Sequence, residues 1–299
     1  MKTTTLPKNT LSIIIPAKNE AQNLTALLQQ LVTSMPEAEI LLIDDGSTDE
    51  TAVLAKQAGV KVISHPYSMG NGAAIKTGAR HATGDVLVFM DADGQHKPDD
   101  IPRLLEKLNE GFDMVVGARH IDTHASLIRR LGNTFYNRFA SLMTGHTIED
   151  LTSGFRAARA IQFRKFLYLL PNGFSYPTTS TMAFFRSGFP VAYIPIQAGK
   201  REGKSHIKLF KDGSRFFLII LKIGALFSPM RLFLPISIGL FITGLSYYGY
   251  TFYTEHRLTN MSVLLFMTSV TTLLMGILSE QISSLHYKDF ERIPWKKQK

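Results

Sequence analysis

Two stretches near the C-terminus carry no Asp, Glu, Lys or Arg: 23 residues between Arg231 and Glu255, and 22 between Arg257 and Glu280. A bilayer core of roughly 30 Å takes about 20 helical residues. Backbone inside hydrocarbon must satisfy its own hydrogen bonds, so each stretch is expected to be a membrane-crossing helix. Two buried helices of a soluble core would also be apolar. They would not need these lengths, nor the aromatic cluster Tyr247, Tyr248, Tyr250, Phe252 and Tyr253 near one end. Gly239, Gly244 and Gly249 are suited to close helix contact. Only Glu255, His256 and Arg257 join the two stretches. The expectation is a hairpin, with spans at about 232–254 and 258–279 and both ends on one side.

Charge places that side. Eight Lys/Arg against two acids lie from Lys200 to Arg231, contributing six of the net charge of +9. The tail from Lys288 carries five more basic residues against two acids. Positive flanks stay inside, so the N-terminal region and the tail are both expected to be cytoplasmic. The basic cluster abuts a span and lacks a nucleic-acid reading motif, which argues for a membrane surface and against nucleic acid. Residues 207–228 alternate Lys208, Lys211, Arg215 and Lys222 with apolar residues at helical spacings. That pattern reads as an amphipathic helix lying in the interface, with Gly213 as a break point. Residues 1–10 lack the apolar core of a secretory signal. Cys is absent, which excludes a disulfide framework and thiolate metal sites.

The preceding 206 residues alternate between two patterns. Runs at 11–17, 39–45, 60–65, 85–91 and 113–119 are short, apolar and rich in β-branched residues, and segments such as 20–32 and 50–59 have helical periodicity. Strand–helix alternation implies a mostly parallel sheet with helices on both faces, and ligands in such sheets bind beyond the carboxyl ends of the strands. Polar residues gather at those ends: Lys18 to Glu20, Asp44 to Ser47, His65, Asp91 to His96, and Arg119. Any one alone reads as a turn or a helix cap. Five together define a site.

Asp91 and Asp93, separated by Ala92, end an apolar run that should be a buried strand. Buried carboxylates need a partner. Two on one tight turn are hard oxygen ligands suited to Mg²⁺ or Mn²⁺ bound together with a substrate diphosphate. The Gly-rich segment 70–78 has the spacing of neither a P-loop nor a dinucleotide fingerprint.

The motifs "IPAKNEAQNL", "LLIDDGSTDET", "GNGAAIKTGARHATGDVLVFMDADGQHKPDDI", "MVVGAR", "DLTSGFRA" and "REGKSHIK" resemble, in order and spacing, the family 2 glycosyltransferases. The likeness is to the dolichol-phosphate-mannose-synthase-like branch that glycosylates polyprenyl phosphates, and it covers about residues 9 to 212. The two spans resemble those of bacterial members acting on undecaprenyl phosphate. The resemblance implies a GT-A fold over residues 1–206, a nucleotide-sugar donor (UDP- or GDP-linked), a divalent cation (Mg²⁺ or Mn²⁺) and inversion at the anomeric carbon. It places Pro16, Lys18, Glu20 and Asp45 at the nucleoside, and Asp91, Ala92 and Asp93 at metal and diphosphate with Gln95 as a further ligand. Arg119 falls near the donor, Asp150 at an active-site acid, and Arg129 and Arg130 in the region of the acceptor phosphate. In "KREGKSHIK" the chain departs from the family's "RxxGxSK", so Lys200, Arg201 and Lys204 all stand as candidates for phosphate contact.

Such an enzyme would be a multi-pass protein of the inner (cytoplasmic) membrane, with a cytoplasmic catalytic domain, and could form a homo-oligomer. A processive polysaccharide synthase would carry Q-x-x-R-W before its channel helices, whereas the one Trp here is Trp295 in the tail. A non-catalytic adaptor or flippase partner with a relic transferase domain would be expected to have lost its metal ligands, and Asp91 and Asp93 remain.

Overall fold

The computed structural model describes residues 10–119, 127–173, 175–197 and 209–291. Two compact units emerge: residues 1–138 with 147–219, and residues 139–146 with 220–299.

In the first unit, seven strands form one sheet: β1 Leu11–Ala17, β2 Glu39–Asp44, β3 Lys61–Ser64, β4 Val86–Phe89, β5 Met114–Arg119, β6 Arg156–Arg159 and β7 Val191–Ile196. Their order is β3-β2-β1-β4-β6-β5-β7. All neighbours run parallel except β6, which is antiparallel to both β4 and β5. The five expected parallel strands are present; β6 and β7 are additional. The central strands are buried on both faces, which is why they read as unbroken apolar runs. One face, with Ile13, Ile15, Leu42 and Val88, packs with α1 (Ala21–Ser34), α2 (Thr51–Gln57) and α4 (Ile101–Asn109) into one core cluster. The other, with Ile14, Leu41 and Phe89, meets α3 (Asn71–His81), α6 (Ala160–Lys165) and α7 (Tyr176–Arg186). There Phe89 packs on Phe163 at 4.5 Å and Tyr176 at 6.0 Å between ring centroids.

Helix α5 (Leu127–Thr144) was not foreseen. Helix α8 (Leu209–Phe227) falls on the segment read as an amphipathic helix, and its backbone runs through Gly213 without the expected break. In the second unit, α9 (Pro229–Glu255) and α10 (Asn260–Glu291) form the hairpin, and each contains a stretch long and apolar enough to cross a membrane. Most of their surface is exposed: 11% of the most apolar window of α9 is buried and 17% of that of α10. Apolar residues so exposed need a non-aqueous surrounding. Of the three glycines expected at the helix contact, only Gly244 makes it, against Leu265 and Phe266; Gly276 meets Phe233 and Met230 in the same way. Ser237 and Ser269 donate to each other's backbone carbonyls at 2.9 Å, closing a reciprocal clasp between the helices.

Gly78 lets α3 lie close on the sheet. A Cβ there would fall inside the van der Waals shell of Ile14 Cγ2 and within 3.3 Å of Ile43 Cγ1. Overpacking of this kind costs about 1–3 kcal/mol and exceeds the ~1 kcal/mol that Ala gains over Gly in a helix. Gly78→Ala should therefore lower the thermal midpoint of the detergent-solubilised protein. Ile14→Ala in the same chain should recover part of the loss, because it removes the obstructing methyl. A midpoint raised by Gly78→Ala alone would show that the sheet yields freely.

Candidate active site

The site lies along the carboxyl edge of the parallel strands. Ile14 accepts the Met90 N–H at 3.1 Å, the last bond joining β1 to the β4 side, and Ala17 accepts the Asp45 N–H at 2.9 Å on the β2 side. Pro16 lies between, facing β4 past the end of the β1–β4 ladder. Its missing N–H therefore costs no ladder bond. The chain after β1 is tied to the chain after β2. Asn19 N–H donates to Ser47 Oγ, Thr48 N–H to Asn19 Oδ1, Glu20 N–H to Thr51 Oγ1 and Ala21 N–H to Asp49 Oδ2. Lys18 is exposed on this edge and Glu20 half-buried.

Asp45 is a buried latch. Its carboxylate accepts the Met69 N–H at 2.7 Å, the Gly70 N–H at 2.9 Å and the Ser68 hydroxyl at 2.8 Å, and meets His65 Nδ1 at 2.8 Å. His65 Nε2 in turn meets Thr77 Oγ1 on α3. One carboxylate thus fixes the whole loop between β3 and α3. Burial pushes the Asp45 carboxyl up, but the His65 ring and these N–H and O–H donors outweigh it and hold it below the usual carboxylate range.

A second carboxylate is held still more fully. Asp150 receives Arg119 in a fork, Nε at 2.8 Å on Oδ2 and Nη2 at 3.1 Å on Oδ1. It also accepts the N–H groups of Arg119, Thr152 and Ser153 and the Thr152 hydroxyl. Burial raises its carboxyl, and Arg119 and the backbone donors pull it down further than that. Arg119 is raised in its turn, burial notwithstanding, chiefly by Asp150 and then by Asp91 and Asp93. A carboxylate so saturated is a clamp on Arg119 and a poor proton acceptor.

Asp91, Ala92 and Asp93 follow β4, with Ala92 and Asp93 buried. Asp93 Oδ1 accepts the Gln95 N–H, and the Asp91 N–H donates to His96 Nδ1 at 3.4 Å. His96 stacks on Phe155 at 5.1 Å, and burial holds its pKa down at about 4, so its ring is neutral near pH 7. Among the described residues, no three His, Asp or Glu side chains gather as a self-sufficient metal cluster. The pair still fits Mg²⁺ or Mn²⁺, which use one or two carboxylates and complete their shells with water and substrate phosphate. Gly154 preserves the space that this requires: a Cβ there would stand 2.6 Å from Asp91 Oδ2.

Arg129 and Arg130 lie in the first turn of α5, where the backbone is described. Lys200, Arg201 and Lys204 lie outside the described residues. The structure therefore brings Pro16, Lys18, Glu20, Asp45, Asp91, Ala92, Asp93, Gln95, Arg119 and Asp150 to one sheet edge. Sequence reasoning missed Thr152, Ser153, Arg156 and Tyr176, although the first three stand within the same "DLTSGFR" motif. An open cavity of about 370 Å³ beside β7, lined by Lys97, Asp100, Arg103 and Gln197, contains none of these carboxylates.

Residues 12–167 match the model of glycosyl transferase family 2, and residues 228–285 match one described as the GtrB C-terminal hairpin. Glycosyltransferase AglJ of Haloferax volcanii is 29% identical over 296 residues, 94% of this chain and 96% of that one. Undecaprenyl-phosphate 4-deoxy-4-formamido-L-arabinose transferase of Klebsiella pneumoniae is 36% identical over 163 residues, about half of each chain. Among solved structures, glucosyl-3-phosphoglycerate synthase from Mycobacterium tuberculosis with Mn²⁺, UDP-glucose and phosphoglyceric acid superposes with a TM-score of 0.61 at 19% identity. It covers 72% of this chain and 80% of that one, a likeness of fold.

The Asp45 latch carries a pH prediction. Its folded-state pKa is depressed, so its stabilisation is present above the unfolded value near 3.8 and is lost as pH falls through the lower folded value. Asp45→Asn replaces an acceptor with a donor facing backbone N–H groups, which costs about 1–3 kcal/mol. The variant should unfold at lower denaturant than wild type at pH 7, and the gap should narrow below about pH 4. A gap independent of pH would assign the loss to shape alone.

Proposed function

The chain belongs to glycosyl transferase family 2, and we propose on that premise that it moves a sugar from a nucleotide-sugar donor to a polyprenyl phosphate at the cytoplasmic face of the membrane. One observation carries the reading: a single chain holds both the carboxylate-rich strand-end site and a hairpin of the GtrB type. The relatives named for transfer to undecaprenyl phosphate support the same acceptor class. The solved neighbour bound to UDP-glucose makes uridine the first base to test.

In this reading the loops after β1 and β2, with Pro16, Lys18, Glu20 and Asp45, receive the nucleoside. Asp91 and Asp93, with Gln95, would hold a divalent cation together with the diphosphate. When bound there, a divalent cation would supply charge that offsets the negative charge growing on the leaving nucleoside diphosphate. Arg119, clamped by Asp150, presents a fixed cation to the same anion. The acceptor phosphate oxygen attacks the anomeric carbon from the face opposite the leaving group, forming one C–O bond as the other breaks and inverting the centre. A phosphate monoester is largely ionised near pH 7, its second pKa lying near 6, so no protein base is needed. This agrees with a saturated Asp150. Arg129, Arg130, Lys200, Arg201 and Lys204 are assigned to the acceptor phosphate, where Arg forks are well matched.

The test is incubation of purified protein with undecaprenyl phosphate and labelled UDP- and GDP-sugars, followed by chromatography of the lipid product. Asp93→Asn should lower turnover by about a hundredfold or more, the scale of losing one preorganised electrostatic group, while the thermal midpoint holds. Full activity of that variant, or of wild type in excess EDTA, would exclude the metal-dependent reading.

Topology can be checked because the chain has no native Cys. With both ends of the hairpin inside, Arg257→Cys should react with an impermeant maleimide in intact cells. Lys2→Cys should react only after permeabilisation. Labelling of Lys2→Cys but not Arg257→Cys from outside would reverse the orientation, and labelling of both would exclude the hairpin crossing.

A further inference from the structure

Arg156 stands on β6 with none of its surface exposed. Its Nη1 donates to the Pro177 carbonyl at 3.0 Å, Ser180 Oγ at 2.8 Å and Thr181 Oγ1 at 3.0 Å, its Nη2 donates to the Ser153 carbonyl, and its Nε has no partner. The guanidinium lies 5.6 Å from the Tyr176 ring centroid. Among the described residues, no carboxylate comes within ion-pair distance of it. Burial pulls its pKa down, yet arginine starts so high that the group stays charged. The carboxylates whose charge reaches it are Asp150 and Asp91.

A wholly buried cation with no contact counter-ion is a costly choice where an apolar side chain of similar length would pack. The hydrogen bonds show what it holds. Ser153, whose carbonyl takes Nη2, gives its N–H to Asp150 at 3.1 Å and its hydroxyl to the Gly117 carbonyl at 2.6 Å. Tyr176 donates to the next carbonyl, that of Gly154, at 2.8 Å. Gly154 is the residue whose missing side chain makes room for Asp91. Ser153 and Gly154 thus separate the two acids of the site, gripped from behind by Arg156 and Tyr176.

We propose that Arg156, together with Tyr176, is a positioning residue: it fixes the Ser153–Gly154 segment, sets Asp91 against the Arg119–Asp150 pair, and supplies a buried positive charge behind the donor diphosphate. The inference rests on the donor site proposed above. It assigns to "DLTSGFR" a role in metal and diphosphate binding that runs through the backbone of the motif.

Arg156→Met, Arg156→Lys and Tyr176→Phe decide it. The readouts are Mn²⁺ binding in the presence of UDP, followed by electron paramagnetic resonance of the free ion, together with thermal midpoint, kcat and donor KM. Arg156→Met should still fold, its midpoint set by relief of the buried charge against loss of the donor to the Ser153 and Pro177 carbonyls. Its UDP-dependent Mn²⁺ affinity should fall about tenfold or more, the scale of losing a group that orients a ligand. Arg156→Lys, which keeps the charge, should recover part of that affinity. A folded Arg156→Met with unchanged Mn²⁺ affinity and kcat overturns the inference and leaves Arg156 as core filling. Should neither Arg156 variant fold, Tyr176→Phe decides alone: weaker Mn²⁺ binding supports the proposal and unchanged binding overturns it. A wild-type protein that binds Mn²⁺ with neither UDP nor GDP overturns the donor reading, and the inference with it.

Discussion

A strand that runs against its neighbours begins where they end, and the site depends on that reversal. β6 lies antiparallel between β4 and β5, so the segment leading into it, Asp150 to Phe155, arrives at the carboxyl edge of the parallel strands. Were β6 parallel, the same segment would enter from the opposite edge. The reversal lets Asp150 meet Arg119 from the end of β5 and brings Gly154 against Asp91 from the end of β4. Three segments far apart in sequence thereby converge without a long loop.

Convergence of acids has a physical consequence. Each buried carboxylate must find donors or lose its charge. Asp45 and Asp150 find theirs within the protein, through backbone N–H groups and, for Asp150, an arginine fork. Both are thereby fixed in place and in charge, as scaffolding requires. Asp91 and Asp93 sit on a turn of hard oxygen donors beside a glycine-made gap, the arrangement that suits a cation shared with substrate phosphate. In the proposed reading the acids divide into two that hold the protein, Asp45 and Asp150, and two assigned to a ligand, Asp91 and Asp93.

That division was only half legible in the sequence. The five parallel strands announced themselves because strands buried on both faces read as unbroken apolar runs, and their polar ends marked the functional edge. β6 did not, because "RAAR" has two charges in four residues and its buried arginine obeys no apolar pattern. β7 was hidden by Pro195, which interrupts its apolar run and which an edge strand tolerates. Asp45 was readable as a strand-end acid, but its hold on residues 65–70 depends on where a loop returns in space. Gly213 reads as a breaker, yet one glycine costs a helix only about 1 kcal/mol, and the backbone of α8 runs through it.

The hairpin obeys a different rule. Between two helices in lipid there is no hydrophobic drive, since lipid tails are as apolar as leucine. Contact must come from close approach and from hydrogen bonds. The pattern of glycines alone could not say which would serve: Gly239 and Gly249 meet nothing within 4 Å, while Gly244 and Gly276 each receive a neighbour. The Ser237–Ser269 clasp adds polar contacts that the apolar surroundings do not compete for. The outer surfaces, with Leu245, Leu264, Met267 and Leu278 more than half exposed, are left to face lipid. An acceptor whose isoprenoid tail gains roughly 0.8 kcal/mol per buried CH₂ stays in the bilayer. For the proposed acceptor, a hairpin clasped at a few small residues gives the enzyme an anchor while keeping its apolar surface outward.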